Sequence, residues 1–307
     1  MSTRPGPARA RLDGLPYALA THAIWGAMPL YLLLVHAVPP VEFVAWRIAF
    51  TLPLCLLFLA RTGQWGEVRQ ALGDRRAVLA LLGSAAMIAV NWVLYVVAIQ
   101  TGHVYAASLG YYILPLVMML MGLAVLKERL TRFQWVAVAL AAAGVAALAA
   151  GALQTLLFSL AMALTFGGYG LVRKLVHVGP LAGMTVETLL LYPVALGTLA
   201  WFALQPGGSS IALGWGLAAA IALGGPMTAI PLIMFAAAAR RMDYTVIGFL
   251  QFLSPTIVFL LGLLWFHETL KPAQLVCFAA IWAALALFVW DLFRARPAPG
   301  LAEEAPG

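Results

Sequence analysis

The chain has 307 residues, 64% of them hydrophobic and only 9% charged, with a mean hydropathy of +0.97. An ordinary soluble domain is about half apolar and about a quarter charged, so this composition excludes a soluble enzyme and fits a surface that faces lipid. The net charge of +7 does not point to nucleic acid, because the basic residues lie between apolar runs and not along one stripe; anionic lipid headgroups are the more natural partner.

Residues 1–14 are polar and basic, with Arg4, Arg9 and Arg11. They read as a cytoplasmic tail. The apolar run that follows is too long for a cleaved signal sequence and reads as the first retained span. At about 20 apolar residues per crossing, the chain divides into ten predicted spans: 15–35, 40–60, 77–99, 104–126, 132–150, 153–172, 181–203, 213–236, 243–265 and 271–292. The expected fold is an all-α polytopic membrane protein. It has five spans in 15–150, five in 153–292 and a cytoplasmic C-terminal tail over 293–307. Alternating strands of a membrane barrel would place a polar residue at every second position, and these runs do not.

Polar residues inside spans usually face the bundle interior or a water-filled path. In the first span His22, Trp25, Gly26 and Pro29 share one face by their spacing; His22 either binds or titrates, or is satisfied by a neighbouring carbonyl. Arg47 lies seven residues past Pro40, roughly 10 Å into the second span. It cannot shed its charge. It must snorkel, pair with an acid, or meet an anionic substrate. The candidate acids are Glu42 on the same helix and Glu187 in the seventh span, and Glu187 is expected to approach Arg47 across the midplane. Asn91 and Trp92, Tyr111 and Tyr112, Tyr169, and Gln251 complete the inward set. Pro115 and Pro255 each break a helix ladder, and the freed carbonyls serve either a kink or a ligand. Cys55 and Cys277 sit in apolar runs without metal spacing, and the chain lacks HExxH, GxSxG and the Walker loop. No metal, cofactor or catalytic set is expected.

Lysine and arginine alternate between connections. The N-terminus, 61–76, 127–132, 173–180, 237–242 and the C-terminus hold sixteen; the other connections hold only Lys271. This bias places both termini in the cytoplasm. A repeat is also present. Residues 107–148, shifted by 140, align without gaps on 247–288 with 11 of 42 identities, including Pro115/Pro255, Gly122/Gly262, Glu128/Glu268 and Gln134/Gln274. Five spans per copy turn the second copy upside down, the construction of many secondary transporters.

The segments IWGAMPLY at 24–31, PVEFVAWR at 40–47, NW at 91–92, ASLGYYILPL at 107–116, KERL at 127–130, YGLVRK at 169–174, ET at 187–188, GFLQFLSP at 248–255 and FAAIWAALALF at 278–288 together resemble the RarD family of EamA transporters, in the drug/metabolite transporter superfamily. One departure is Ala106, where related sequences tend to carry a glutamate. The resemblance implies ten spans in two inverted EamA repeats and transport of a small solute. The expected protein is a secondary transporter, an exporter of small metabolites or drugs working by alternating access in a bacterial inner membrane. Its expected partners are a small-molecule substrate and membrane lipids. The substrate residues are His22, Trp25, Arg47, Asn91, Trp92, Tyr111, Tyr112, Tyr169, Glu187 and Gln251. The competing readings are a lipid-modifying membrane enzyme and a channel or scaffold. The four aspartates, all outside or at the ends of spans, argue against an Asp-rich metal site.

Overall fold

The computed structural model describes residues 12–100, 104–150, 156–265 and 272–294. The helices are α1 (Leu15–Leu32, continued by a tight turn over Leu33–Val35), α2 (Pro40–Thr62), α3 (Trp65–Gly73), α4 (Arg75–Gln100), α5 (Val104–Ala124), α6 (Arg132–Ala150), α7 (Leu156–Leu175), α8 (Pro180–Ala203), α9 (Trp215–Arg241), α10 (Tyr244–Leu250), α11 (Leu253–Leu264) and α12 (Pro272–Arg294). Among the described residues, nine stretches are long and apolar enough to cross a membrane. One of them is α10 and α11 taken together, and α5 adds a shorter apolar stretch over Leu109–Ala124. These ten correspond to the ten predicted spans. The short α3 lies between two of them, with Val68 and Ala71 buried and the polar side outward.

Local chemistry sets the helix ends. Pro40, Pro180 and Pro272 each open a helix, where a missing N–H costs nothing and φ is already set. Gly63, at φ 70°, closes α2 and donates its N–H to Leu59 O at 2.9 Å. Pro255 has no N–H to offer the Gln251 carbonyl, and there the ninth span separates into α10 and α11.

α8 starts 140 residues after α2, and α9 starts 140 residues after α4. The offset seen over 107–148 therefore extends to these spans as well. Pro115 lies in α5 and Pro255 in the α10–α11 span, at equivalent places of the repeat. Packing obeys the same exchange. α5 lies on α7 as α11 lies on α1, α4 on α7 as α9 on α1, and α2 on α9 as α4 on α8. Three pairs are their own equivalents: α2 with α8, α5 with α10, and α6 with α12. The main packing is between halves and not within them, so the two copies interlock.

Small residues permit this closeness. A Cβ on Gly225 of α9 would sit 2.6 Å from the Phe50 carbonyl of α2. Gly225→Ala is therefore expected to cost about 1–3 kcal/mol by overpacking, read as a lower thermal unfolding midpoint in detergent. Gly197→Ala is the control, because its Cβ would meet open space and alanine is the better helix former by roughly 0.5–1 kcal/mol. Equal midpoints for the two variants would contradict the α2–α9 contact.

Candidate functional site

One end of the bundle carries the start of α1, α3 and the α7–α8 and α9–α10 connections; it is called the basic face here, and the other end the charge-poor face. Arg47 is seven residues into α2 from the charge-poor face. Glu187 is seven residues into α8 from the basic face. They differ by 140 and occupy equivalent positions of the two halves, so opposite charges stand at matched depths, roughly 10 Å from opposite ends.

They do not pair. Glu187 is 3% exposed; it accepts a hydrogen bond from Ser84 Oγ, and its Oε1 lies 3.8 Å from Arg173 Nε. Arg173, counted with a connection in the sequence, belongs to the last turn of α7 and is fully buried, its Nη2 donating to Pro180 O at 3.1 Å. The other candidate acid, Glu42, is saturated at the charge-poor face. It accepts from Ser209 Oγ at 2.6 Å, Ser210 N at 2.8 Å, Ser210 Oγ at 2.7 Å and Trp46 Nε1 at 3.2 Å.

Arg47 is half-buried. Its Nε donates to Thr228 Oγ1 at 2.8 Å, and its guanidinium carbon lies 5.3 Å from the Trp92 ring and 5.7 Å from Phe43. The Thr228 hydroxyl is itself held by Gly224 O at 2.7 Å. Tyr31 lies beside the arginine stem: a Cβ on Gly224 would be 2.9 Å from Arg47 Cγ and 3.1 Å from Tyr31 Oη. Tyr31 Oη is engaged with Ala220 O at 2.9 Å, whereas Tyr95 and Tyr111 meet edge to face at 6.3 Å. Among the described residues no carboxylate is within ion-pair distance of Arg47, and neither Nη nitrogen donates to a described group.

Beside this cluster, and sharing Trp92 and Thr228 with it, a small cavity extends toward the basic face past Thr51, Thr188 and Tyr169 to Glu187; the arginine itself is not in its lining. Its Tyr169 belongs to an aromatic cluster: Trp25, Phe166, Tyr169 and Phe235 pack together with ring centroids 5.4–6.3 Å apart. The basic face itself is tied shut. The Glu128 carboxylate accepts from Tyr244 N at 2.7 Å and Thr245 N at 2.8 Å, capping α10, and lies 3.9 Å from Lys174 Nζ. Lys174 donates to Met242 O at 2.6 Å and Ala239 O at 3.0 Å, Arg240 donates to Val178 O, and Tyr244 Oη donates to Gly167 O at 2.6 Å.

The residues singled out in the sequence thus separate. Arg47 and Trp92 meet; Trp92, Tyr169 and Glu187 line the cavity; Tyr111 packs on Tyr95, and Trp25 packs on Phe166 and Phe235. His22 is buried between α1 and α11 with Nδ1 3.2 Å from Ser254 Oγ. Asn91 ties α4 to α7 through Met162 O at 2.9 Å. Tyr112 packs on Phe278 of α12, and Gln251 lies at the α10–α11 break. Tyr31, Phe43, Tyr95, Thr228, Ser84 and Arg173 were not foreseen. Glu268 and Lys271 lie outside the described residues.

The sequence of the EamA-like transporter family matches residues 12–150, ending where α6 ends. The chain is 42% identical to an uncharacterized transporter of Pseudomonas aeruginosa, over 94% of this chain and 97% of that one. It is 38% identical to Protein RarD of Streptomyces exfoliatus, over 92% and 89%, and 36% identical to Protein RarD of Escherichia coli, over 92% and 96%. A solved crystal structure superposes with a TM-score of 0.73 at 20% identity, over 92% of this chain and 99% of that one, which is a likeness of fold.

Proposed function

Because this chain belongs to the EamA-like transporter family, within its RarD group, and is a multi-pass bacterial membrane transporter, we propose that it is a secondary carrier that exports a small solute by alternating access around the cavity between the Arg47 cluster and Glu187. The observation that carries this reading is a small cavity between interlocked inverted halves, with the Glu128 ties closing one face and Trp92 and Thr228 linking it to a half-buried arginine toward the other. Inverted copies supply two similar states of opposite access. We take the basic face as cytoplasmic, as the sixteen-to-one distribution of Lys and Arg requires; the conformation described is then the one with access from outside.

The interlock changes what moves. The main contacts join spans of different halves. Each moving body in this reading therefore draws spans from both halves, and the sequence halves do not rock as blocks. The test is counterflow in proteoliposomes: labelled solute should exchange saturably against unlabelled solute on the other side. Turnover of lipid would favour the enzyme reading, and unsaturable flux the channel. Orientation is checked with Arg69→Cys and Gly207→Cys in a background lacking Cys55 and Cys277. An impermeant maleimide added to intact cells should label only position 207. Strong external labelling at 69 would overturn the orientation.

A further inference from the structure

Resting on the carrier reading, we propose that the cavity takes a small organic anion, a carboxylate or phosphate monoester on a planar apolar body, and that Arg47 is its charge partner. A guanidinium within a span is costly unless something compensates it. The buried and half-buried carboxylates named above are each partnered: Glu187 has Arg173 and Ser84, Glu128 has Lys174 and two backbone amides, and Glu42 has two serines and an indole. Arg173, the other buried guanidinium, leaves Nε and Nη1 without a hydrogen bond but has the Glu187 carboxylate beside it at 3.8 Å. Arg47 has one hydroxyl at Nε and two ring faces. Thr228 and the rings fix the plane of the guanidinium and leave the Nη edge to an acceptor. That edge offers parallel donors, the arrangement that carboxylates and phosphates accept bidentately.

The surroundings set the rest of the ligand. Trp92 and Phe43 flank the charge. Aromatic walls favour a flat apolar body.

The test uses benzoate and phenyl phosphate as probes and neutral benzamide as the control, at constant ionic strength, on the full chain in phosphatidylcholine nanodiscs. Binding is read from tryptophan fluorescence, since Trp92 adjoins the guanidinium. At least one anion should bind saturably and benzamide should not. Arg47→Gln should weaken anion binding at least tenfold with an unchanged unfolding midpoint, and Arg47→Lys, which keeps the charge but not the fork, should fall between. The assignment is overturned if neither anion binds, if benzamide binds as well as benzoate, or if Arg47→Gln binds like the parent. Loss of the benzoate response in phosphatidylglycerol nanodiscs would assign the guanidinium to a lipid phosphate and overturn it too. The two readings fail separately. Counterflow that survives Arg47→Gln unchanged removes the anion site and leaves the carrier, whereas Arg47-dependent binding without counterflow of any bound anion removes the carrier and leaves the site.

Discussion

Arg173→Ala is expected to cost about 3–5 kcal/mol, the usual result of stripping one partner from a buried ion pair. Glu187 would keep only the Ser84 hydroxyl while remaining 3% exposed. Removing the guanidinium also frees the Pro180 carbonyl at the start of α8. The arginine fits only because Gly183 has no side chain, since a Cβ there would collide with the guanidinium. The measurement is the fraction of monodisperse protein after mild heating in detergent, which should fall severalfold. Adding Glu187→Gln to Arg173→Ala should recover part of the loss, because it removes the uncompensated charge. Single and double variants as heat-resistant as the parent would show that the pair is not structural.

Glu128→Ala should open the basic face. The carboxylate makes two hydrogen bonds to the α10 backbone and adjoins Lys174; a hydrogen bond to a charged group contributes about 1.5–3 kcal/mol. Loss of even one is enough to move a two-state equilibrium about tenfold or more. The close fit of the site is shown by Gly122, where a Cβ would lie 2.6 Å from Glu128 Oε2 and 2.7 Å from Thr245 Cγ2. The reporter is Thr188→Cys, a cavity position 3% exposed here, in a background lacking Cys55 and Cys277. Its reaction with a small maleimide in inside-out vesicles should accelerate at least tenfold when Glu128→Ala is added. An unchanged rate would mean that these contacts do not hold the face closed.

Hydropathy was enough to read the ten spans, because bilayer thickness and backbone satisfaction leave few alternatives, and the 140-residue repeat with five spans per copy was enough to read the inverted construction. The depths of Arg47 and Glu187 were legible for the same reason. Their partners were not, since depth says nothing about azimuth: Glu187 turns toward α4 and α7, and Arg47 toward α9. Arg173 was hidden by its position at a span end, where arginine normally reads as an orientation signal. Asn91 looked like a ligand group but ties one helix to the next. The α10–α11 break follows from Pro255, yet Pro115 stands at the equivalent place in an unbroken α5, so proline alone did not decide it. The small amphipathic α3 lay below the length at which apolar periodicity stands out.

The lone guanidinium also has an electrical consequence. If its partner is the cargo, the empty carrier holds one uncompensated positive charge near its centre and the loaded carrier holds none. A membrane potential, negative inside, then biases the empty form toward cytoplasmic access and leaves the loaded form nearly indifferent. Each turnover moves one negative charge outward, and 100 mV is worth about 2.3 kcal/mol per charge. At about 1.4 kcal/mol per factor of ten, the resting voltage alone would sustain roughly a fiftyfold outward gradient of a monoanion, without a coupling ion.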